Sequence, residues 1–161
     1  MAIKRLQPKT ILSLLSWWPP FLASGITVRE VNPTVTRVRV QLRNSLWNRN
    51  YVGTHFGGSL YSMSDPFYMF ILLHHLGKDH IVWDRAAEID FLTATSRPVE
   101  AVFEISESEI DAIRKQALTE FKVEPVFRTE IRDPDGKTVA SVSKRLYVRR
   151  KDRKPLKRNS P

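Results

Sequence analysis

The fold turns on the stretch Gly57-Gly58-Ser59-Leu60-Tyr61-Ser62-Met63-Ser64-Asp65-Pro66-Phe67-Tyr68-Met69-Phe70-Ile71-Leu72-Leu73-His74-His75-Leu76-Gly77. Between the glycines at either end, Leu60, Tyr61, Met63 and the run 67–73 leave little polar surface, and a helix apolar nearly all round is a buried one. Gly77 is its stop. Asp65 and Pro66 interrupt the pattern. The proline lacks an N–H, so the Ser62 carbonyl loses its helical partner, which inside a regular helix costs about 3 kcal/mol or more. The spacing therefore predicts a buried helix over 57–76, kinked beside Asp65. An Asp in that setting has to be hydrogen-bonded, neutral, or lining a cavity.

On the N-terminal side, residues 26–31 read as a strand, Asn32-Pro33 as a turn, and 36–43 as a half-exposed strand with Thr36, Val38, Val40 and Leu42 on one face. Residues 44–56 form a long polar-aromatic connection. On the C-terminal side, 81–83 and 86–94 read as two strand pieces and 99–105 as a further strand. Ser106 and Glu109 have capping-box spacing before a short surface helix. Two more strands, 121–132 and 138–149, flank Asp133-Pro134-Asp135-Gly136, a hairpin turn. This order predicts an α+β fold in which an antiparallel sheet curls around one central helix.

The N-terminal 25 residues, MAIKRLQPKTILSLLSWWPPFLASG, imitate a secretory signal. Against that, the apolar run 11–18 contains Ser13 and Ser16, stops at Pro19-Pro20, and is too short to span a bilayer. Ile11, Leu12, Leu14, Leu15 and Trp18 recur at helical spacing behind Thr10 as a cap, which predicts an amphipathic helix lying on the domain or on a partner subunit. Membrane-surface attachment is the lesser reading, and the expected compartment is the cytoplasm.

Composition bounds the function. The chain has 161 residues, no cysteine and four histidines, none in an H-x-x-x-H pair. Thiolate catalysis, Cys-ligated zinc and iron–sulfur chemistry are excluded, a zinc hydrolase is disfavoured, and no metal or cofactor is expected. Of the net charge of +9, residues 149–161 carry +6. Residues 151–161 read as a basic tail that cannot order itself, leaving residues 1–150 as one domain. The tail is either a solvated extension or a contact for anionic phosphates; nucleic acid ranks low, because no aromatic interleaving accompanies the charge.

Chemistry concentrates in residues 50–66, NYVGTHFGGSLYSMSDP. Two glycines at a helix start permit close backbone approach and leave N–H groups pointing outward, a place for a carbonyl oxygen that becomes an oxyanion. Equally, Gly57 and Gly58 serve close helix packing, Asp65 satisfies backbone freed at the kink, and His55 packs or hydrogen-bonds in its loop.

The pattern Asn50-x-x-Gly53-Thr54-x-x-Gly57-Gly58, with Asp65 eight residues beyond Gly57, resembles the hot-dog-fold acyl-CoA thioesterases, their phenylacetyl-CoA branch above all. The wider strings VGTHFGGSLYSMSDPFYM and DHIVWDRAAEIDF resemble a poorly characterised subgroup labelled tetrameric acyl-CoA thioesterase. The resemblance, over about 12–150, implies hydrolysis of acyl-CoA to free acid and coenzyme A. It implies Asp65 as general base or nucleophile, the Gly57 N–H as the group polarising the thioester carbonyl, and Asn50 as the residue positioning water or carbonyl. His55, Phe56, Gly58 and Asp84 fall at substrate-binding positions. The family's His directly before the glycine pair is Phe56 here, with His55 one residue early. The implied partners are an acyl-CoA and further copies of the chain, as a homodimer or homotetramer with active sites at the seam. The Trp17-Trp18-Pro19-Pro20 patch suits such a contact, and Arg85, Lys144 and Arg145 suit the nucleotide phosphates. The alternatives are a non-catalytic acyl or acyl-CoA binding protein, and a basic-tailed interaction scaffold.

Overall fold

Strict alternation builds the sheet. In β2 (Arg37–Leu42), Val38, Val40 and Leu42 are fully buried while Arg37, Arg39 and Gln41 look outward. It sits between β1 (Ile26–Val31) and β4 (Val99–Glu104). Next come β5 (Val126–Arg132), β6 (Thr138–Arg150) and β3 (His80–Phe91), giving one six-stranded sheet in the order β1-β2-β4-β5-β6-β3 with every neighbouring pair antiparallel. This computed structural model describes residues 10, 12 and 14–153; of the tail expected at 151–161, residues 154–161 lie outside the described residues, as do positions 11 and 13 of the expected N-terminal helix.

The sheet curves around a central helical segment in two pieces, α2 (Gly57–Ser62) and α3 (Phe67–Leu76), as the Pro66 kink requires. Leu60, Met63, Phe67, Tyr68, Ile71, Leu72 and Leu76 bury against the inner sheet face. Aromatic rings bind the two layers. Phe67 stacks on Phe103 at 4.9 Å and Tyr68 on Phe127 at 4.9 Å, while the buried Tyr68 hydroxyl donates to the Arg128 carbonyl at 2.8 Å. Burial pushes the Tyr68 phenol far above its ordinary pKa. The outer face carries a charge ladder of Glu30, Arg37, Arg39, Glu100 and Glu104. These pairs are largely exposed and contribute little stability. The surface helix α4 (Glu107–Thr119) begins with the expected capping box, Glu109 N–H donating to the Ser106 hydroxyl at 3.2 Å and Ser106 N–H to the Glu109 carboxylate at 2.9 Å.

Four local expectations change. Pro19-Pro20 starts a second helix as well as ending the first: the N-terminal segment, helical at Thr10, Leu12 and Leu14, closes in a 3-10 turn at Leu15–Trp17, and α1 (Pro19–Ser24) follows directly, proline suiting the first helical positions because its missing N–H has no partner there anyway. The two strand pieces at 81–94 are one strand, β3, divided by a bulge between Asp84 and Ala86 that breaks the period. β5 starts at Val126, since Pro125 cannot donate to the ladder, and Val123 alone bridges Val148 ahead of it. The Ser62 carbonyl is not orphaned, because Asp65 N–H donates to it at 3.2 Å in a tightened turn.

Gly25 closes α1 at φ +74°, and a Cβ there would lie 2.6 Å from Asn48 Nδ2 and 2.8 Å from the Arg43 carbonyl oxygen. That carbonyl and the Ser24 carbonyl both accept from the buried Asn48 amide. Gly25→Ala combines backbone strain with a steric clash and is expected to lower stability by about 2 kcal/mol or more, read as a fall in the urea midpoint at unchanged slope.

Candidate active site

The break between α2 and α3 carries Asp65, the residue expected to act on the thioester. Asp65 does not sink into the core as its apolar surroundings suggested: its side chain keeps 51% of its surface exposed. The short turn Met63–Pro66 rolls it outward, with Ser64 N–H donating to the Tyr61 carbonyl at 3.0 Å and Phe70 N–H restarting the helix on the Pro66 carbonyl at 2.9 Å. Outward-facing Asp65 sits at the lip of an apolar groove of about 420 Å³, lined by Leu14, Leu15, Trp18, Pro66, Met69 and Phe70.

Behind Asp65 stands Lys144, expected at a surface facing nucleotide phosphates but fully buried in the structure. Its ammonium donates to the Asp65 carbonyl at 2.9 Å and to Asp65 Oδ1 at 3.2 Å, and pairs with Asp84 Oδ2 at 3.1 Å. Three acceptors match the three donors of an ammonium. The Tyr61 ring adds a face 5.9 Å from the nitrogen. The sequence carried a signal for this residue. Along β6, Ala140, Val142, Leu146 and Val148 are buried at every second place, and Lys144 is in phase with them. A lysine on the apolar face of a strand needs a buried counter-charge.

Asp84 is that second charge. The bulge after it lets Ala87, not Ala86, face Lys144, so Asp84 reaches the ammonium from the diagonal position on the inner face. Burial raises the Asp84 carboxyl above its ordinary pKa; the Lys144 ammonium and its hydrogen bond oppose that, and the Asp65 charge adds to it. Asp84 Oδ1 is buried without a partner among the described residues.

The other predicted residues gather at the start of α2. A second pocket, of about 370 Å³, is lined by Asn50, Thr54, His55, Gly57 and Leu60 together with Phe91 to Thr95 and Val139. Gly57 and Gly58 occupy the first helical turn, whose N–H groups have no intrahelical acceptor. A Cβ on Gly57 would lie 3.1 Å from the Phe91 ring, whereas one on Gly58 would overlap the Phe56 ring, so Phe56 covers Gly58 and turns away from this pocket. Phe56 instead borders a hollow with Trp47, Asn48 and Ser59. The Asn50 side chain is engaged within its own loop. It donates to Thr54 Oγ1 at 2.8 Å and the His55 carbonyl at 3.2 Å, and accepts from the N–H groups of Val52 and Thr54 at 3.1 and 3.0 Å.

His55 is buried, and its Nε2 lies 2.7 Å from the Arg97 carbonyl, which fixes Nε2 as the donor and leaves Nδ1 as a lone pair without a partner among the described residues. Desolvation lowers the His55 pKa, the carbonyl bond opposing it. A depressed histidine binds its proton more readily unfolded, so its contribution is present above about pH 6.5 and is lost as pH falls toward the folded value. His55→Gln is therefore expected to lose less stability than the wild type between pH 7 and pH 5, measured by urea unfolding at both pH values.

Gly57 and Asp65 thus lie in different hollows of one chain. Eight residues at the helical rise put them about 12 Å apart. A larger hollow, about 830 Å³, belongs to the charged outer face, lined by residues such as Gln41, Glu100, Glu130 and Arg132, and holds none of the predicted residues. Among the described residues, no helix is long and apolar enough to cross a membrane.

Residues 9–148 match a family model described as a domain of unknown function, DUF4442. No curated protein matches the chain. The fold has solved counterparts. A Pseudomonas aeruginosa protein of unknown function, described as a probable thioesterase, aligns with TM-score 0.78 at 16% identity, over 90% of this chain and 97% of that one. A Haemophilus influenzae thioesterase aligns with TM-score 0.64 at 13% identity, over 93% and 96%. A protein of unknown function from Chlorobaculum tepidum aligns with TM-score 0.72 at 12% identity, over 88% and 94%. The curved sheet around a central helix is the hot-dog fold of these proteins.

Proposed function

We propose that this chain, which belongs to the DUF4442 family of unknown function, hydrolyses acyl thioesters, with acyl-coenzyme A as the substrate class. The observation that carries the reading is the Asp65 carboxylate at the lip of an apolar groove, backed by a buried ammonium. The thioesterases among proteins of the same fold support it.

In the proposed reaction a water attacks the thioester carbonyl carbon as Asp65 takes its proton. A C–O bond forms, and the carbonyl oxygen gains charge against the Gly57 N–H. The C–S bond then breaks and the thiolate leaves, taking up the proton from Asp65. A thiol ionises near pH 8.5, so departure needs little acid assistance. Asn50 holds the loop that places Gly57 and His55. Arg85 and Arg145, both exposed, are the basic side chains left for the coenzyme A phosphates.

One chain does not bring Gly57 and Asp65 to the same substrate, so the reading includes a second copy. Among the described residues, the twelve-residue strand β3 has a neighbour on one side alone, and a free edge of that length is a template for strand pairing. Pairing there would let Asp65 of one copy face Gly57 of the other. The exposed Trp17 and Trp18 remain available to a further contact between dimers. The test is thiol release across acyl-CoAs of increasing chain length. Turnover supports the reading, and its absence throughout the panel, at enzyme concentrations that would reveal one event per minute, overturns it.

A further inference from the structure

The fully buried Lys144 joins three oxygens that belong to two separate elements, the α2–α3 break and β3. The helix break leaves the Asp65 carbonyl without a backbone donor among the described residues: its hydrogen bond comes from the Lys144 side chain, while Phe70 N–H restarts the helix one residue later, on Pro66. The same ammonium holds one carboxylate oxygen of the same residue. Backbone and side chain of Asp65 are thereby fixed by one atom, leaving Oδ2 without a partner among the described residues, on a half-exposed side chain that lines the groove. A plain structural plug would need the carbonyl bond alone. Holding Asp65 Oδ1 as well fixes the direction of the free oxygen.

From this we propose that Lys144 is the positioning residue of the Asp65 carboxylate, aiming its free oxygen at the scissile carbonyl, with Asp84 as the counter-charge that allows a lysine to be buried there. The proposal rests on the hydrolytic reading of Asp65. Lys144 itself does not touch substrate, since its side chain retains 1% of its surface. The groups facing the ammonium are Asp65 from the helix break, Asp84 from β3 and the Tyr61 ring from α2. The other ion-paired lysines and arginines among the described residues, such as Arg37, Arg97, Lys122 and Arg132, sit at the surface; this one is enclosed.

The experiment compares wild type with Lys144→Met, Lys144→Arg, Asp84→Asn and the double variant Lys144→Met/Asp84→Asn, each normalised to its folded fraction from urea unfolding. Misdirecting a catalytic group by about 1 Å lowers turnover on the order of a hundredfold. Lys144→Met is accordingly expected to lose about a hundredfold in kcat with KM changed less than about threefold, and Lys144→Arg to recover part of the loss by restoring charge. The double variant removes the buried charge together with its counter-charge, so it keeps the test open if Lys144→Met fails to fold. It is expected to lose as much kcat, while Asp84→Asn, which leaves the ammonium on Asp65, falls less than about tenfold. A second readout needs no turnover: the carbon-13 titration of the Asp84 carboxyl is expected to move to higher pH in Lys144→Met, because the ammonium that opposes its upward shift is gone.

Folded Lys144→Met or the double variant keeping kcat within about threefold of an active wild type overturns the positioning role and leaves hydrolysis standing. An unmoved Asp84 titration overturns the tie itself. A wild type silent on every acyl-CoA overturns the hydrolytic reading, and the positioning role falls with it, an outcome distinct from the other two.

Discussion

Asp65→Asn is expected to reduce thiol release by about a thousandfold while the protein keeps its fold and its affinity for acyl-CoA. A positioned general base contributes roughly 10²–10⁴ in rate, and an amide cannot take a proton from water at neutral pH. The substitution is nearly isosteric, and the new side-chain carbonyl still accepts from the Lys144 ammonium at the place of Oδ1. The hydrogen bond from Lys144 to the backbone carbonyl is untouched. Half-exposed Asp65 is therefore a position where charge can be removed without opening a cavity. The measurement is steady-state thiol release with wild type and variant side by side, together with saturation binding of the same acyl-CoA. Retained binding with lost turnover places Asp65 in the chemical step. Full turnover by Asp65→Asn would remove it from the mechanism. Saturable binding with no turnover by either protein would move the chain to the acyl-binding reading.

The sheet was legible wherever a single strand carries its own pattern. Thr36, Val38, Val40 and Leu42 alternate without interruption, and all four are buried. The Ser106–Glu109 capping box and the Asp133-to-Gly136 turn were legible because their chemistry is local, a side chain bonding the backbone within a few residues. Pro66 announced the helix break for the same reason. What the sequence concealed depends on register between distant strands. β3 looked like two strands because one extra residue at the bulge flips the alternation, and only pairing with β6 shows Asp84 and Lys144 on the same inner face. Asp65 stands out in the sequence as a charge within an apolar run, but its exposure follows from how far the 63–66 turn rolls it, which no periodicity encodes. Nothing in the sequence separates Gly58 from Gly57 as a place for close ligand approach; the Phe56 ring over Gly58 does. Pro19-Pro20 was ambiguous in principle, since proline both ends one helix and begins the next.

Mixing two inactive variants should restore activity, if Gly57 and Asp65 meet across a subunit seam. Gly57→Pro removes the N–H assigned to the thioester carbonyl while suiting the backbone. The position is the first of α2, where proline is favoured, and Phe56 before it is extended at φ −67° and ψ 126°, as a residue preceding proline must be. Its ring meets Phe91, which is 57% exposed and has room to shift. Loss of one oxyanion donor lowers turnover by about 10²–10³. A heterodimer of Gly57→Pro with Asp65→Asn then has one seam in which both lesions fall together and one in which neither does. Random exchange in an equimolar mixture makes half the dimers heterodimers, each with one intact site of two, so about a quarter of wild-type activity should return. A site built within one chain gives the opposite result, because every chain in the mixture then carries a lesion in its own site and no activity returns. Exchange has to be demonstrated alongside, by mixing a tagged and an untagged copy under the same conditions. Restoration then locates the catalytic carboxylate and the oxyanion donor on different copies, and makes the free edge of β3 a requirement of the chemistry as well as of assembly. Its failure in a mixture shown to exchange would confine the site to one chain and send the search for the oxyanion donor to backbone N–H groups beside the groove that Asp65 borders.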